Sequence, residues 1–210
     1  FTLTVNPVND APDLGVLSDA NVAEDNTFTL ALSASDVDGD ALTFLASVDG
    51  NGSASVSGTT LSVTPDLNYN GDIEVTVTAS DGQASGSGSF TLTVTAVNDA
   101  PVMAAIDDQA IDEDNSLTLT LSASDVDGDA LTYSAVDGGA TVDINGTTLT
   151  LTPALNYNGS GTVTVTVSDG NLTGSTDFTL TVNPVNDAPD LGVLSDANVA
   201  EDNTFTLALS

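Results

Sequence analysis

The segment VNDAP stands at residues 8–12, 97–101 and 185–189, so the chain returns to the same sequence after 89 and then 88 residues. Other landmarks keep step. LSASDVDGDALT at 32–43 recurs unchanged at 121–132, and GTTL, LNYNG, SDG and FTLTV recur at matching offsets. A period of this length is too long for one solenoid unit and fits a complete small domain in a string. The one-residue difference between the periods falls between FLASVDG (44–50) and YSAVDG (133–138), which reads as a connection that tolerates a change of length. Residues 1–33 are repeated without change as 178–210, so the array is built from a duplicated two-domain unit. The expected organisation is the last strand of a preceding repeat over 1–7, whole repeats over 8–96 and 97–184, and the first strands of a following repeat over 185–210. The chain opens inside a strand-like pattern without an initiator Met and reads as a window on a longer polypeptide.

Within each repeat, apolar residues alternate with Thr, Ser or Asn. Phe28, Leu30, Leu32 and Ala34 form one such set, Ile73, Val75, Val77 and Ala79 another, and Phe90, Leu92 and Val94 a third. Period two is the signature of half-buried strands with one face on a core. Gly, Asn and Asp punctuate the pattern, and no segment shows the 3.6-residue period of a helix. About seven short strands per repeat predict an all-β chain of tandem Ig-like, Greek-key β-sandwich domains in a linear array. A strand over 27–35 puts AED (23–25) at one pole of the domain and DVDGD (36–40) at the other. PDLNYNG (65–71) returns the chain to the AED pole, and SDG (80–82) lies at the DVDGD pole.

The chain carries 31 acidic residues and no Lys, Arg or His. No His or Lys can activate a nucleophile, and no cationic side chain can steady an oxyanion or a phosphate, so an enzyme is not expected. Nucleic-acid binding is excluded on the same ground, because phosphate contacts come mainly from Lys and Arg. Membrane insertion is not expected either, since no apolar run approaches the roughly 20 residues that span a bilayer. Cysteine is absent, so stability rests on apolar burial and on whatever offsets the like charges. The acids divide into 27 Asp and 4 Glu, and this bias toward Asp in loops suggests ligation as well as solvation.

Hard oxygen ligands, six to eight of them, are what calcium takes. DVDGD sets Asp at alternate positions with a Gly for the turn, which lets carboxylates converge on one ion; the plain alternative is an ordinary Asp-Gly turn. It is not an EF-hand loop, whose twelfth position is a bidentate Glu, since counting from Asp36 or Asp125 lands on Ser47 or Val136. Transition metals are disfavoured without His or Cys.

Taken together, VNDAP, AED, DVDGD, LNYNG and SDG resemble bacterial cadherin-like tandem repeats of giant surface adhesins. The resemblance spans essentially the whole chain. It implies Ca2+ at the domain junctions, stiffening an extracellular or cell-surface rod. By that correspondence the central junction draws on Glu24, Asp25, Asn98, Asp99, Asp125, Asp127, Asp129 and Asp169. The junction ahead of it draws on Asn9, Asp10, Asp36, Asp38, Asp40 and Asp81, and the one behind it on Glu113, Asp114, Asn186 and Asp187. Animal cadherins carry an acidic motif near the position of LNYNG, where this chain has Asp66 and Asn68 in one repeat and Ala154 and Asn156 in the other. Asp66 is therefore a further expected ligand, and the number of ions per junction stays open.

The leading expectation is a calcium-stiffened stalk or fibre segment of a bacterial adhesin or surface filament, with neighbouring repeats of the same chain as its partners. A carbohydrate- or cell-binding recognition module is the alternative. Sugar platforms usually display aromatic rings, and this chain has three Tyr and no Trp. Tyr69 and Tyr157 occupy equivalent loop positions that suit structural anchors. FTLTV, read as an exposed edge strand, leaves room for lateral or end-to-end self-assembly.

Overall fold

The structure, a computed structural model, describes residues 1–137, 139–189 and 196–207. It divides into two compact units, Phe1–Asp99 and Ala100–Ser210. The first unit contains β1 (Asp13–Leu14), β2 (Ala20–Ala23), β3 (Phe28–Ala31), β4 (Ala34–Ser35), β5 (Thr43–Val48), β6 (Gly52–Ser57), β7 (Thr60–Pro65), β8 (Gly71–Ser80) and β9 (Ser85–Thr95). One sheet has the order β2-β9-β8-β5, with β2 parallel to β9 and the other pairs antiparallel. The other has the order β3-β7-β6, and β1 pairs with β4. The inward members of the alternating sets, among them Leu61, Val63, Ile73, Val75, Val77 and Leu92, are fully buried in one core. This is the expected all-β, Ig-like sandwich.

The second unit repeats the plan with β10 (Val102–Met103), β11 (Gln109–Asp112), β12 (Leu117–Thr120), β13 (Ala123–Ser124), β14 (Thr132–Asp137), β15 (Ala140–Asn145), β16 (Thr148–Pro153), β17 (Gly159–Ser168) and β18 (Thr173–Asn183). Its sheets run β11-β18-β17-β14 and β12-β16-β15, with β10 paired to β13. Among the described residues each unit thus has nine strand segments where seven strands are expected, because two strands are each divided between partners. In the first unit the run 28–35 follows β7 as far as the 2.7 Å bond from the Leu32 amide to the Thr59 carbonyl. It then changes partner to β1, where the Gly15 amide donates to the Ser33 carbonyl at 3.0 Å.

FTLTV is not an edge strand. At 90–94 it is the interior of β9, with β8 on one side and β2 on the other, and the Thr91 amide beyond β2 is taken by the Asp19 carboxylate at 2.8 Å. The same five residues at 1–5 form no strand, and Phe1, Leu3 and Val5 are exposed, because no strand among the described residues lies beside them to complete a sheet. The first strands expected over 185–210 lie partly outside the described residues, at 190–195 and 208–210; the described remainder carries no strand.

The linker proline is anchored rather than free. Gly86 in β9 has no room for a Cβ, which would collide with the Pro12 carbonyl oxygen, and Gly174 in β18 meets Pro101 in the same way. Both prolines are buried. In the first unit this close approach holds Asn9 and Asp10 over the end of the sandwich where DVDGD emerges.

Candidate metal centre

DVDGD folds around its first aspartate. Asp36 accepts the amides of Asp38 and Asp40 on Oδ1, at 2.9 and 3.3 Å, while Gly39 supplies the left-handed turn at φ 80°. Its Oδ2 is buried and has no hydrogen-bond partner. Asp125 repeats the arrangement with the amides of Asp127 and Asp129 at 3.0 and 3.2 Å, Gly128 at φ 78°, and an Oδ2 again buried without a partner. An ordinary Asp-Gly turn explains the first oxygen of each carboxylate. It does not explain the second.

Around the Asp36 loop the first unit gathers the rest of its predicted set. The Asp10 amide donates to Asp38 Oδ2 at 2.8 Å, and Asn9 Nδ2 donates to Asp81 Oδ2 at 2.9 Å. Asp81 Oδ1 accepts the amides of Gln83 and Ala84, both at 2.6 Å. The Ala84 amide, then the Asn9 side chain and the Gln83 amide, hold its carboxyl below the ordinary carboxylate range. In the second unit Asp169 likewise accepts the amides of Asn171 and Leu172, at 2.6 and 2.7 Å. Gln83, whose Nε2 donates to Asn9 Oδ1 at 3.1 Å, belongs to this cluster and was not expected from the sequence. Nothing in a lone glutamine marks it.

The opposite pole centres on a buried glutamate. Glu24 is 2% exposed and Glu113 5%, and each accepts the amide that opens the next VNDAP: Val97 to Glu24 Oε1 at 2.5 Å and Val185 to Glu113 Oε1 at 2.6 Å. A carboxylate oxygen of Asp99 lies within 4.8 Å of one of Glu24. Asn158 Nδ2 approaches Glu113 Oε2 at 3.4 Å, a contact the sequence reading missed although LNYNG repeats in both domains. Asn98 and Asn186 each bend back to the carbonyl of the following residue, Asp99 and Asp187, at 3.1 Å.

Asp25 and Asp114 have a different local task. Both sit in the left-handed region, at φ 60° and 64°, and their Oδ1 atoms accept the amides of Asn68 and Asn156 at 3.0 and 2.9 Å. This ties the LNYNG loop to the AED pole, as the order of elements predicts. Asp66 is exposed, and among the described residues its carboxylate makes no hydrogen bond, although its amide holds the Asn51 carbonyl at 2.9 Å. Asp40 contributes only its amide to the bonds described.

Burying a carboxylate without a counter-charge is costly, and no cationic side chain exists in this chain. The donors at both poles are carboxylate and amide oxygens, the set that suits a hard divalent cation such as calcium. With a buried, unpartnered oxygen on Asp36 and on Asp125, the residues present fit that ion.

The sequence model of the bacterial Ig domain matches residues 9–95 and 98–183. Among solved structures, the chain is similar to human protocadherin-24 EC1-2, with TM-score 0.51, 19% identity, and coverage of 83% of this chain and 99% of that one. Drosophila N-cadherin EC1-4 gives TM-score 0.50 at 19% identity, covering 83% of this chain and 50% of that one. At such identity these likenesses speak for the fold alone. An endo-fucoidan hydrolase from glycoside hydrolase family 107 matches at TM-score 0.37 and 24% identity, over 86% of this chain but only 30% of the hydrolase. No curated protein matches the chain.

Proposed function

We propose, for a chain that belongs to the bacterial Ig domain family, a role as a calcium-stiffened structural segment, the stalk or fibre of an extracellular bacterial adhesin or surface filament. Tandem bacterial Ig-like domains suggest a structural repeat of a surface protein, and such domains are usually found in extracellular or surface proteins. The observation that carries the calcium reading is the recurrence in both repeats of a buried glutamate with no counter-charge, Glu24 and Glu113, and of a buried aspartate oxygen with no hydrogen-bond partner, on Asp36 and Asp125. A catalytic centre has no reason to recur in each repeat. A structural ion does.

Asp36, Asp38, Asp40 and Asp81, with Asn9 and Asp10, would hold the ion at one pole of the first repeat; Glu24 and Asp99 would do so at the other. Bound calcium supplies the positive charge that the sequence omits. The chain's own contribution is preorganisation. The Asp36 turn presents Oδ2 inward, the Pro12 anchor fixes the linker, and the glutamate binds the Val97 amide so that the linker leaves the domain in one direction. Calcium titration by calorimetry, combined with solution scattering, tests the reading. The expected result is saturable binding with dissociation constants of about 10⁻⁴ to 10⁻³ M and a narrower distribution of chain dimensions when calcium is bound. An absence of binding heat at millimolar calcium would refute it.

A further inference from the structure

The second repeat contains a cavity of about 220 Å³ beside the end of β14 and the start of β15, lined by Asp137, Ala140, Pro153, Tyr157, Gly161 and Leu180. Its origin lies in two exchanges between repeats. Sheet register pairs Val48 with Val75 in the first unit and Asp137 with Val163 in the second, so Asp137 occupies the inward position that Val48 holds. Across from it, Ile73, buried in the first core and paired with Leu92, is replaced by Gly161, paired with Leu180. The Asp137 carboxylate extends over the vacated floor: its Oδ1 lies 3.4 Å from where a Gly161 Cβ would be, while Oδ2 accepts the Ala140 amide at 2.6 Å. Tyr69 closes this region in the first repeat, packing on the core and donating to the Asp72 carbonyl at 2.9 Å, but Tyr157 is 37% exposed at the cavity's rim.

The geometry points to a binding site for an alkylammonium group, the chemistry of a lysine side chain or a free aliphatic amine. The volume exceeds that of a single water, about 30 Å³, several times over and accommodates a chain of four or five heavy atoms. A carboxylate at the floor matches an ammonium head, apolar walls match the methylenes, and the Tyr157 ring adds a face that attracts cations. Calcium is the wrong occupant, because one carboxylate falls short of the six or more oxygens it takes. No Lys or Arg exists in this chain to fill the site, so its occupant comes from outside. Asp137 and Gly161 are not among the residues assigned to the calcium poles, but Tyr157 stands between Asn156 and Asn158, which bond Asp114 and Glu113, so the test holds calcium constant.

The test is amide NMR of the whole chain with calcium held saturating, titrated separately with n-butylammonium, with Nα-acetyl-lysine N-methylamide and with n-butanol. Butylammonium is expected to shift the Ala140 and Gly161 amides, with a dissociation constant on the order of 1–10 mM, while the matching Gly52 and Ile73 amides stay still. A response to the blocked lysine as well extends the site to side chains on a partner, and its absence restricts the site to free amines. Asp137→Asn, which keeps an acceptor for Ala140, should weaken binding about tenfold or more, and Asp137→Val with Gly161→Ile should abolish it. The inference is overturned if butylammonium leaves those amides unmoved, if butanol binds equally well, or if Asp137→Asn binds like the parent.

Discussion

The two repeats share the carboxylate bonds at their poles and differ in the core beside the LNYNG loop. Glu24 and Glu113 make the same bond to the linker amide, and Asp36 and Asp125 each accept the same two turn amides on Oδ1. Beside that loop, Val48 and Ile73 of one core become Asp137 and Gly161 of the other. An apolar sandwich tolerates this because a sheet held by backbone bonds keeps its register while the side chains facing the core change; the register partners of β5–β8 and β14–β17 correspond one to one. The poles carry the shared chemistry, and the cores are free to diverge.

The largest effect should follow from making the cores alike. Ile73→Gly in the first repeat removes a fully buried side chain and adds a flexible backbone position, so it should cost that repeat about 3–5 kcal/mol. The double change Asp137→Val with Gly161→Ile should stabilise the second repeat by about 1–3 kcal/mol. Amide hydrogen exchange reads the opening free energy of each repeat separately. If both repeats proved indifferent to these exchanges, the cavity would not be a packing difference between them.

A middling effect is expected at the poles, and it should be similar in both repeats. Glu24→Gln and Glu113→Gln keep an acceptor for the linker amide but remove the charge, so each should lose about 1–3 kcal/mol of calcium-dependent stability and lose little or none in chelator. Asp66→Ala should change calcium affinity far less than Glu24→Gln, given the exposed position of Asp66. Calorimetric titration of the three variants ranks them. An equal loss for Asp66→Ala would bring that loop into the site.

Much of this was readable in the sequence and some was not, for physical reasons. Alternation identified the inner faces because burial on one side of a pleat imposes period two on any strand. It says nothing of which strand lies alongside, so the partner change at Leu32 and Ser33 stayed hidden, as did β2, whose ANVA is too weakly apolar to announce a strand. With β2 paired along it, FTLTV is not an edge. The inward Asp137 was equally hidden. Its neighbour Val136 is the apolar residue of the pair, yet register turns Val136 out, 72% exposed, and the carboxylate in. AED in the first repeat and DED in the second marked Glu24 and Glu113 as site residues, but their burial depends on the linker folding back, which only the structure shows.

The smallest effect concerns acid. Asp81 has its carboxyl depressed below the ordinary value of 3.8 in the folded chain, so its bonds stabilise the first repeat above that value and this contribution is lost as pH falls through the depressed one. Asn9→Ala removes one of the bonds responsible and should move the Asp81 titration upward, toward its ordinary value. Carbon-detected NMR titration in chelator reads the change directly, and an unmoved Asp81 would mean that the Ala84 and Gln83 amides alone set it.

Thermal unfolding of the whole chain, in about 10 mM calcium and again in excess chelator, tests the calcium reading most directly. With dissociation constants of about 10⁻⁴ to 10⁻³ M, each occupied site adds about 1.4–2.7 kcal/mol at that concentration, which for domains of this size raises Tm by about 5–20 °C. Far-ultraviolet circular dichroism at room temperature should be the same in both conditions, since the cores are complete without the ion. Coincident melting curves would contradict calcium stabilisation at the poles and leave the buried Glu24 and Glu113, and the buried Oδ2 atoms of Asp36 and Asp125, without a counter-charge.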